Sequence, residues 1–156
     1  MPSIFDVLKA DHDEHRRMLA TICATLGQER ADAFEAFRVE VSAHAAAEEQ
    51  SLYAAMLGDA ETQDDARHSV AEHKEVDDLL GELQGLDPHD SEWLPRFEKL
   101  RHRYEHHIEE EEDEMFPAAE EHFSGGKAEE LGAKFDRRKP AQLEVAEASE
   151  SGGERE

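Results

Sequence analysis

Apolar residues recur at spacings of three and four along four stretches of the chain, and each stretch reads as a helix with one buried face. In the first, Ser3 is an N-cap with Asp6 three residues on, and the stripe Phe5, Leu8, His12, His15, Leu19, Ile22, Leu26 runs to Gly27. The second spans about Asp32 to Gly58, with Phe34, Phe37, Val41, His44, Glu48, Leu52 and Met56 on one side. The third lies between about Thr62 and Gly85, its stripe Val70, His73, Val76, Leu80 and Leu83. A turn, Leu86 to Asp90, leads to a fourth helix capped by Ser91, with stripe Trp93, Phe97, Leu100, Tyr104, His107 and Glu111. Pro117 perturbs this helix and Ser124-Gly-Gly126 ends it. The pattern predicts an all-α fold: an up-down-up-down four-helix bundle. A short amphipathic helix, about Lys127 to Arg138, is expected over one end of the bundle. The domain is placed at residues 1–139, and 140–156 reads as an acidic disordered tail.

Two features of the stripes are unusual. Histidine and glutamate interrupt each apolar seam at mid-helix, where desolvating a bare carboxylate is costly. The interruptions also repeat. His44-Ala-Ala-Ala-Glu48-Glu49 with Leu52-Tyr53 superimposes on His107-Ile-Glu-Glu-Glu111-Glu112 with Met115-Phe116, and Ala10-Asp-His12 through Leu19 superimposes on Ala71-Glu-His73 through Leu80. Helices one and three thus share a motif, as do helices two and four, which predicts a pseudo-twofold bundle with a site on its axis. Residues i and i+4 share a helix face, so each His-x-x-x-Glu aims an imidazole and a carboxylate the same way. The fourth stripe selects His107 and Glu111 as inward, with His106 and Glu110 about 100° away around the helix.

His12, His44, Glu48, His73, His107 and Glu111 therefore converge at one level: four imidazoles and two carboxylates. A lone core histidine is an ordinary hydrogen-bonded packing residue. Six such groups together call for a metal centre, the bland alternative being a polar layer held by water. Nitrogen and oxygen ligands without thiolate suit iron, manganese or zinc. Two bridging carboxylates with two histidines per metal argue for a dinuclear site and for the redox metals over zinc. His15, one turn from His12, reads as an added ligand, a supporting donor or packing. Tyr53 and Tyr104 read first as packing residues, the alternative being a hydroxyl that bonds the metal or a small molecule on it.

Composition narrows the function further. Forty acidic against 17 basic residues give a net charge of −23, which repels nucleic acid and argues against such partners. The single cysteine, Cys23, excludes an intramolecular disulfide and reads as a small packing residue. With no leader-like amino terminus and no apolar run able to span a bilayer, the expectation is a cytoplasmic protein with no membrane partner.

Asp11-His12, His44-x-x-x-Glu48-Glu49, Glu72-His73 and His107-x-x-x-Glu111-Glu112 with Met115-Phe116-Pro117 resemble the hemerythrin-like, or HHE, cation-binding domain over about residues 3 to 120. The resemblance implies two non-heme iron ions bridged by an oxo or hydroxo group. His12, His44, His73 and His107 would then be terminal ligands, with Glu48 and Glu111 as bridges. It also implies dioxygen, peroxide or nitric oxide as the small-molecule ligand, used for oxygen or iron binding as store or sensor. The alternative is an enzyme decomposing peroxide or acting in oxidative and nitrosative stress. One departure stands out. Oxygen-carrying hemerythrins place two ligand histidines on the third helix as His-x-x-x-His, whereas His68 lies five residues before His73, about 140° around a regular helix. His68 is thus expected at the surface, unless a π-bulge in the third helix turns it inward.

Overall fold

The structure, a computed structural model, describes residues 2–149 and is helical throughout, with no strand among the described residues. Five helices follow one another. α1 is Ile4–Ala24, capped by the Ser3 hydroxyl, which accepts from the Asp6 N–H as the sequence predicts. α2 (residues 27–57) is α-helical over Gly27–Glu48 and Ala54–Leu57, with a π-helical turn, Glu49–Tyr53, between them. α3 is Gln63–Gln84. α4 (residues 93–120) repeats the construction of α2: Trp93–Glu110, a π turn Glu111–Met115, then Phe116–Glu120. α5 is Gly126–Ala148.

The first four helices form the expected antiparallel bundle, with the apolar stripes buried in two clusters. One gathers Ile4, Phe5, Leu8, Leu52, Met56 and Phe116; the other gathers Ile22, Phe37, Leu80, Trp93, Phe97 and Leu100. Between them lies the polar layer.

Three boundaries differ from the sequence reading. Leu26 is 76% exposed and outside the seam, because Gly27, at φ 56°, turns the corner in a left-handed conformation and α2 begins there rather than near Asp32. Ser91 does not cap α4. The residue flanking that helix is Glu92, and Asp90 organises the turn by accepting the Glu92 N–H on its side chain and the Trp93 N–H on its carbonyl.

The third correction is the largest. The carboxy-terminal helix is neither short nor an end cover. It runs alongside α1 and α2 and continues through Pro140 to Ala148, so residues 140–148 are helix rather than tail. One proline removes a single helical hydrogen bond, and burial outweighs that loss. Ala146 is buried, and its carbonyl accepts at 3.0 Å from the fully buried Arg38 guanidinium. At the other end of α5, Gly132 lies so close to the amino-terminal residues that a Cβ there would sit 2.9 Å from the Pro2 carbonyl oxygen. The rest of the expected tail, 150–156, lies outside the described residues.

Candidate metal centre

The two π turns explain how the site is assembled. In each, a backbone N–H reaches back five residues: Ala54 N–H to the Glu49 carbonyl and Phe116 N–H to the Glu111 carbonyl. Ser51 favours the slip in α2 by donating its hydroxyl to the Ala47 carbonyl at 2.7 Å. In α4, Pro117 supplies no N–H and so cannot maintain the regular ladder. The wider turn brings the residue five after each inward glutamate to the buried side as well. Tyr53 and Phe116 are both fully buried. Tyr53 packs against His73, ring centroids 5.2 Å apart, and Phe116 stacks on His12 at 6.0 Å.

All six predicted residues meet in the buried layer, none more than 8% exposed. The Nε2 atoms face the two glutamates. His44 and His73 approach Glu48 Oε1 at 3.5 and 3.3 Å; His12 and His107 approach Glu111 Oε1 at 3.2 and 3.6 Å. Nε2 of His12, His44 and His107, both carboxylate oxygens of Glu48 and one of Glu111 are buried with no hydrogen-bond partner. Buried polar groups are normally paired, so this set of unmet donors and acceptors asks for something between them.

The other ring nitrogens are fully engaged. Each Nδ1–H donates to a carboxylate from the preceding helix in the ring of four: His12 to Glu112 at 2.7 Å, His44 to Asp11 at 2.8 Å, His73 to Glu49 at 2.7 Å and His107 to Glu72 at 2.8 Å. This fixes the tautomer that leaves Nε2 free, the arrangement of metal-bound histidine. Asp11, Glu49, Glu72 and Glu112 were not singled out for this role from sequence. The signal was available, since an acid adjoins one inward residue in every copy of the repeat.

Charge is concentrated here. Burial pulls the His12 and His73 imidazoles down, but the carboxylates beside them, Glu111 and Glu112 at His12 and Glu48 and Glu49 at His73, outweigh it and push them up to about 9 and about 10. Burial raises both central carboxyls. At Glu48 the neighbouring Glu111 carboxyl and the His44 and His73 imidazoles win and hold it well below the usual range, whereas Glu111 is pushed up by burial and by the negative Glu48 beside it. Tyr53, its phenol pushed well up by burial and by these carboxylates, keeps its proton and donates it to Glu111 Oε2. A cation in the layer would replace protons on these groups.

The remaining histidines separate clearly. His15 is buried, yet both its nitrogens are occupied: Nε2 pairs with Glu40 at 2.8 Å and Nδ1 with the Tyr104 hydroxyl at 2.6 Å. Burial dominates and holds it down at about 4, so it is a neutral supporting residue. His68 lies 59% exposed with Nε2 on Glu110, as the angular argument predicts; the π turns are in α2 and α4, not α3. Cys23 is exposed, correcting its reading as a packing residue. A cavity of about 320 Å³ opens between α2 and α3 and reaches His44, Glu49, His73 and Tyr104.

Residues 3–119 match the family model of the hemerythrin HHE cation-binding domain. The chain belongs to that family. Its hemerythrin-like fold is also that of an HHE cation-binding domain-containing protein from Mycobacterium kansasii, known from a crystal structure. The two superpose with a TM-score of 0.85 at 24% identity, over 96% of this chain and 92% of the other. No curated protein matches the sequence. The family is a cation-binding one, and the four imidazoles and two carboxylates of the buried layer fit a cation by donor type, burial and unmet bonding. No described helix is long and apolar enough to cross a membrane.

Proposed function

We propose that the buried layer is a site for two non-heme iron ions, which His12, His44, His73, His107, Glu48 and Glu111 would hold, and that the centre would take dioxygen or a related small oxidant. The observation that carries this reading is the set of buried Nε2 and carboxylate atoms without partners, each imidazole already aimed by a carboxylate on its far side. Nitrogen and oxygen donors without sulfur suit iron, and two carboxylates amid four imidazoles suit a pair of metals rather than one. When bound, iron supplies a redox-active Lewis acid for dioxygen, peroxide or nitric oxide. The protein's part is to hold, orient and seal. The carboxylate ring keeps the imidazoles in register, Phe116 and Tyr53 close the layer on one side, and the cavity between α2 and α3 gives a small molecule its approach.

Binding of dioxygen or iron in the cytoplasm, as store or sensor, is one use of such a centre. A second use is turnover of peroxide, and the histidine count favours it. With His68 at the surface and His15 engaged elsewhere, four imidazoles and two carboxylates leave room for an external ligand on both metals. The Tyr53 hydroxyl supplies a buried proton beside Glu111. Loading the metal-free chain with ferrous iron under nitrogen, then adding dioxygen or hydrogen peroxide, separates the two. A stable oxygen-dependent band in the near-ultraviolet and visible supports binding, and sustained oxygen evolution from peroxide supports turnover. Absence of iron uptake and of any charge-transfer band would leave only the water-held polar layer.

A further inference from the structure

The His-x-x-x-Glu spacing occurs twice more, at His68–Glu72 on α3 and His106–Glu110 on α4, and the fold brings these pairs together outside the buried layer. His68 Nε2 lies 2.9 Å from Glu110 Oε1 and 3.4 Å from Glu72 Oε2. Ligand atoms of these three residues all fall within 4.8 Å of one another. The second imidazole, His106, has Nε2 3.4 Å from the other Glu110 oxygen. Exposure falls inward across the cluster: 59% at His68, 29% at Glu110, 8% at Glu72. A simple bridge between two helices needs one base and one acid, whereas here two imidazoles and two carboxylates share one face.

Glu72 connects this cluster to the interior, because its other oxygen, Oε1, accepts from His107 Nδ1. Beside the cluster a recess of about 290 Å³ is lined by Asp65, His68, Ser69, Glu110, Glu114 and Met115. Its buried wall is Ser69, whose hydroxyl donates to the Met115 sulfur at 3.2 Å. Ser69 is one helical turn from His73, and Met115 one turn from Glu111. The recess thus ends a turn away from two residues of the buried layer.

We propose that His68, Glu72 and Glu110, with His106, form an exterior divalent-cation site that captures a cation at the surface and hands it to the buried layer past Glu72. Mixed imidazole and carboxylate donors suit first-row divalent ions, and a surface of net charge −23 concentrates them. Only the hand-over rests on the reading of the buried layer as an iron centre; the exterior site stands without it.

Cobalt(II) alone, titrated into the full metal-free chain near neutral pH, is the probe, read by equilibrium dialysis and by the visible ligand-field bands. The wild type should bind one more cobalt per chain than His68→Ala, and Glu110→Gln should weaken that equivalent by about tenfold or more. Thermal melts should show both variants folded. A Glu48→Ala chain should keep the His68-dependent cobalt even if its buried layer binds nothing, so the two readings fail separately. Equal cobalt in wild type and His68→Ala would reduce the cluster to an ion pair and overturn the site. With limiting metal, His68→Ala should fill the buried layer severalfold more slowly; filling at the wild-type rate would overturn the hand-over.

Discussion

The α1–α2 half and the α3–α4 half carry the same frame and finish it differently. His12, His44 and Asp11 answer to His73, His107 and Glu72, and Glu48-Glu49 answers to Glu111-Glu112. The sequence repeat thus builds a near-symmetric nest of imidazoles and carboxylates. The differences lie at positions outside that frame. His15 in the first half has Val76 in the second as its counterpart, Tyr53 corresponds to Phe116, and α5 runs along α1 and α2. There Phe135 packs on His44 at 5.5 Å, and Lys139 bonds Asp11 at 2.8 Å and Glu40 at 2.6 Å. The cavity at α2–α3 opens on the border between the halves, reaching His44 and Glu49 of the first and His73 of the second, and the recess at His68 lies in the second. Duplication supplies the nest of imidazoles and carboxylates, and what breaks the symmetry sets what surrounds it.

Central carboxylates should show the largest effects and the least difference between halves. Glu48→Ala and Glu111→Ala should each abolish retention of the metal pair, measured as iron per chain after desalting; full retention by either would break the symmetric frame. The orienting carboxylates come next. Glu49→Gln and Glu112→Gln should each weaken metal binding about 10- to 100-fold, because they hold His73 and His12. Equal losses would support the pseudo-twofold, and an effect confined to one variant would mean that one half dominates.

Stability should expose the asymmetry. Lys139→Met leaves Asp11 and Glu40 without their shared cation and should lower unfolding free energy by about 1–3 kcal/mol in denaturant titrations. Among the described residues no lysine plays that part in the other half, so Lys74→Met, at an exposed pair with Asp78, should change little.

The metal-free chain should respond to pH through both halves. His12 and His73 are raised from 6.5 to about 9 and about 10 by their carboxylate partners, against burial. Their contribution is complete below about pH 6.5 and is lost as pH rises through 9 to 10. Metal-free protein should therefore melt at progressively lower temperature across that window, while metal-loaded protein, whose imidazoles carry no such proton, should not. The smallest change is an exchange between halves. Tyr53→Phe should leave metal content intact while altering the optical spectrum and any peroxide turnover, and an unchanged spectrum would give Tyr53 a packing role only.

Much of this was legible in the chain. The three-and-four spacing put His12, His44, Glu48, His73, His107 and Glu111 on inward faces, and the repeat predicted their meeting. The same angular rule kept His68 at the surface. Other features depend on groups that periodicity does not report. The π turns come from Ser51 donating to a backbone carbonyl and from the missing N–H of Pro117, local slips invisible to a 3.6-residue period. The course of α5 depends on contacts distant in sequence, Lys139 with Asp11 and Arg38 with the Ala146 carbonyl, whereas Pro140 and acidic composition suggest a tail. His15 shares the inward stripe with true ligand candidates and is set apart only by Glu40 and Tyr104.

The most direct test of the central claim is iron per chain after anaerobic ferrous loading and desalting, which empties the exposed cluster at His68. The account predicts two irons in the wild type and in His68→Ala, and one or none in His44→Ala and His73→Ala. A wild type that holds no iron, or a His68→Ala variant that loses as much as His73→Ala, would contradict it.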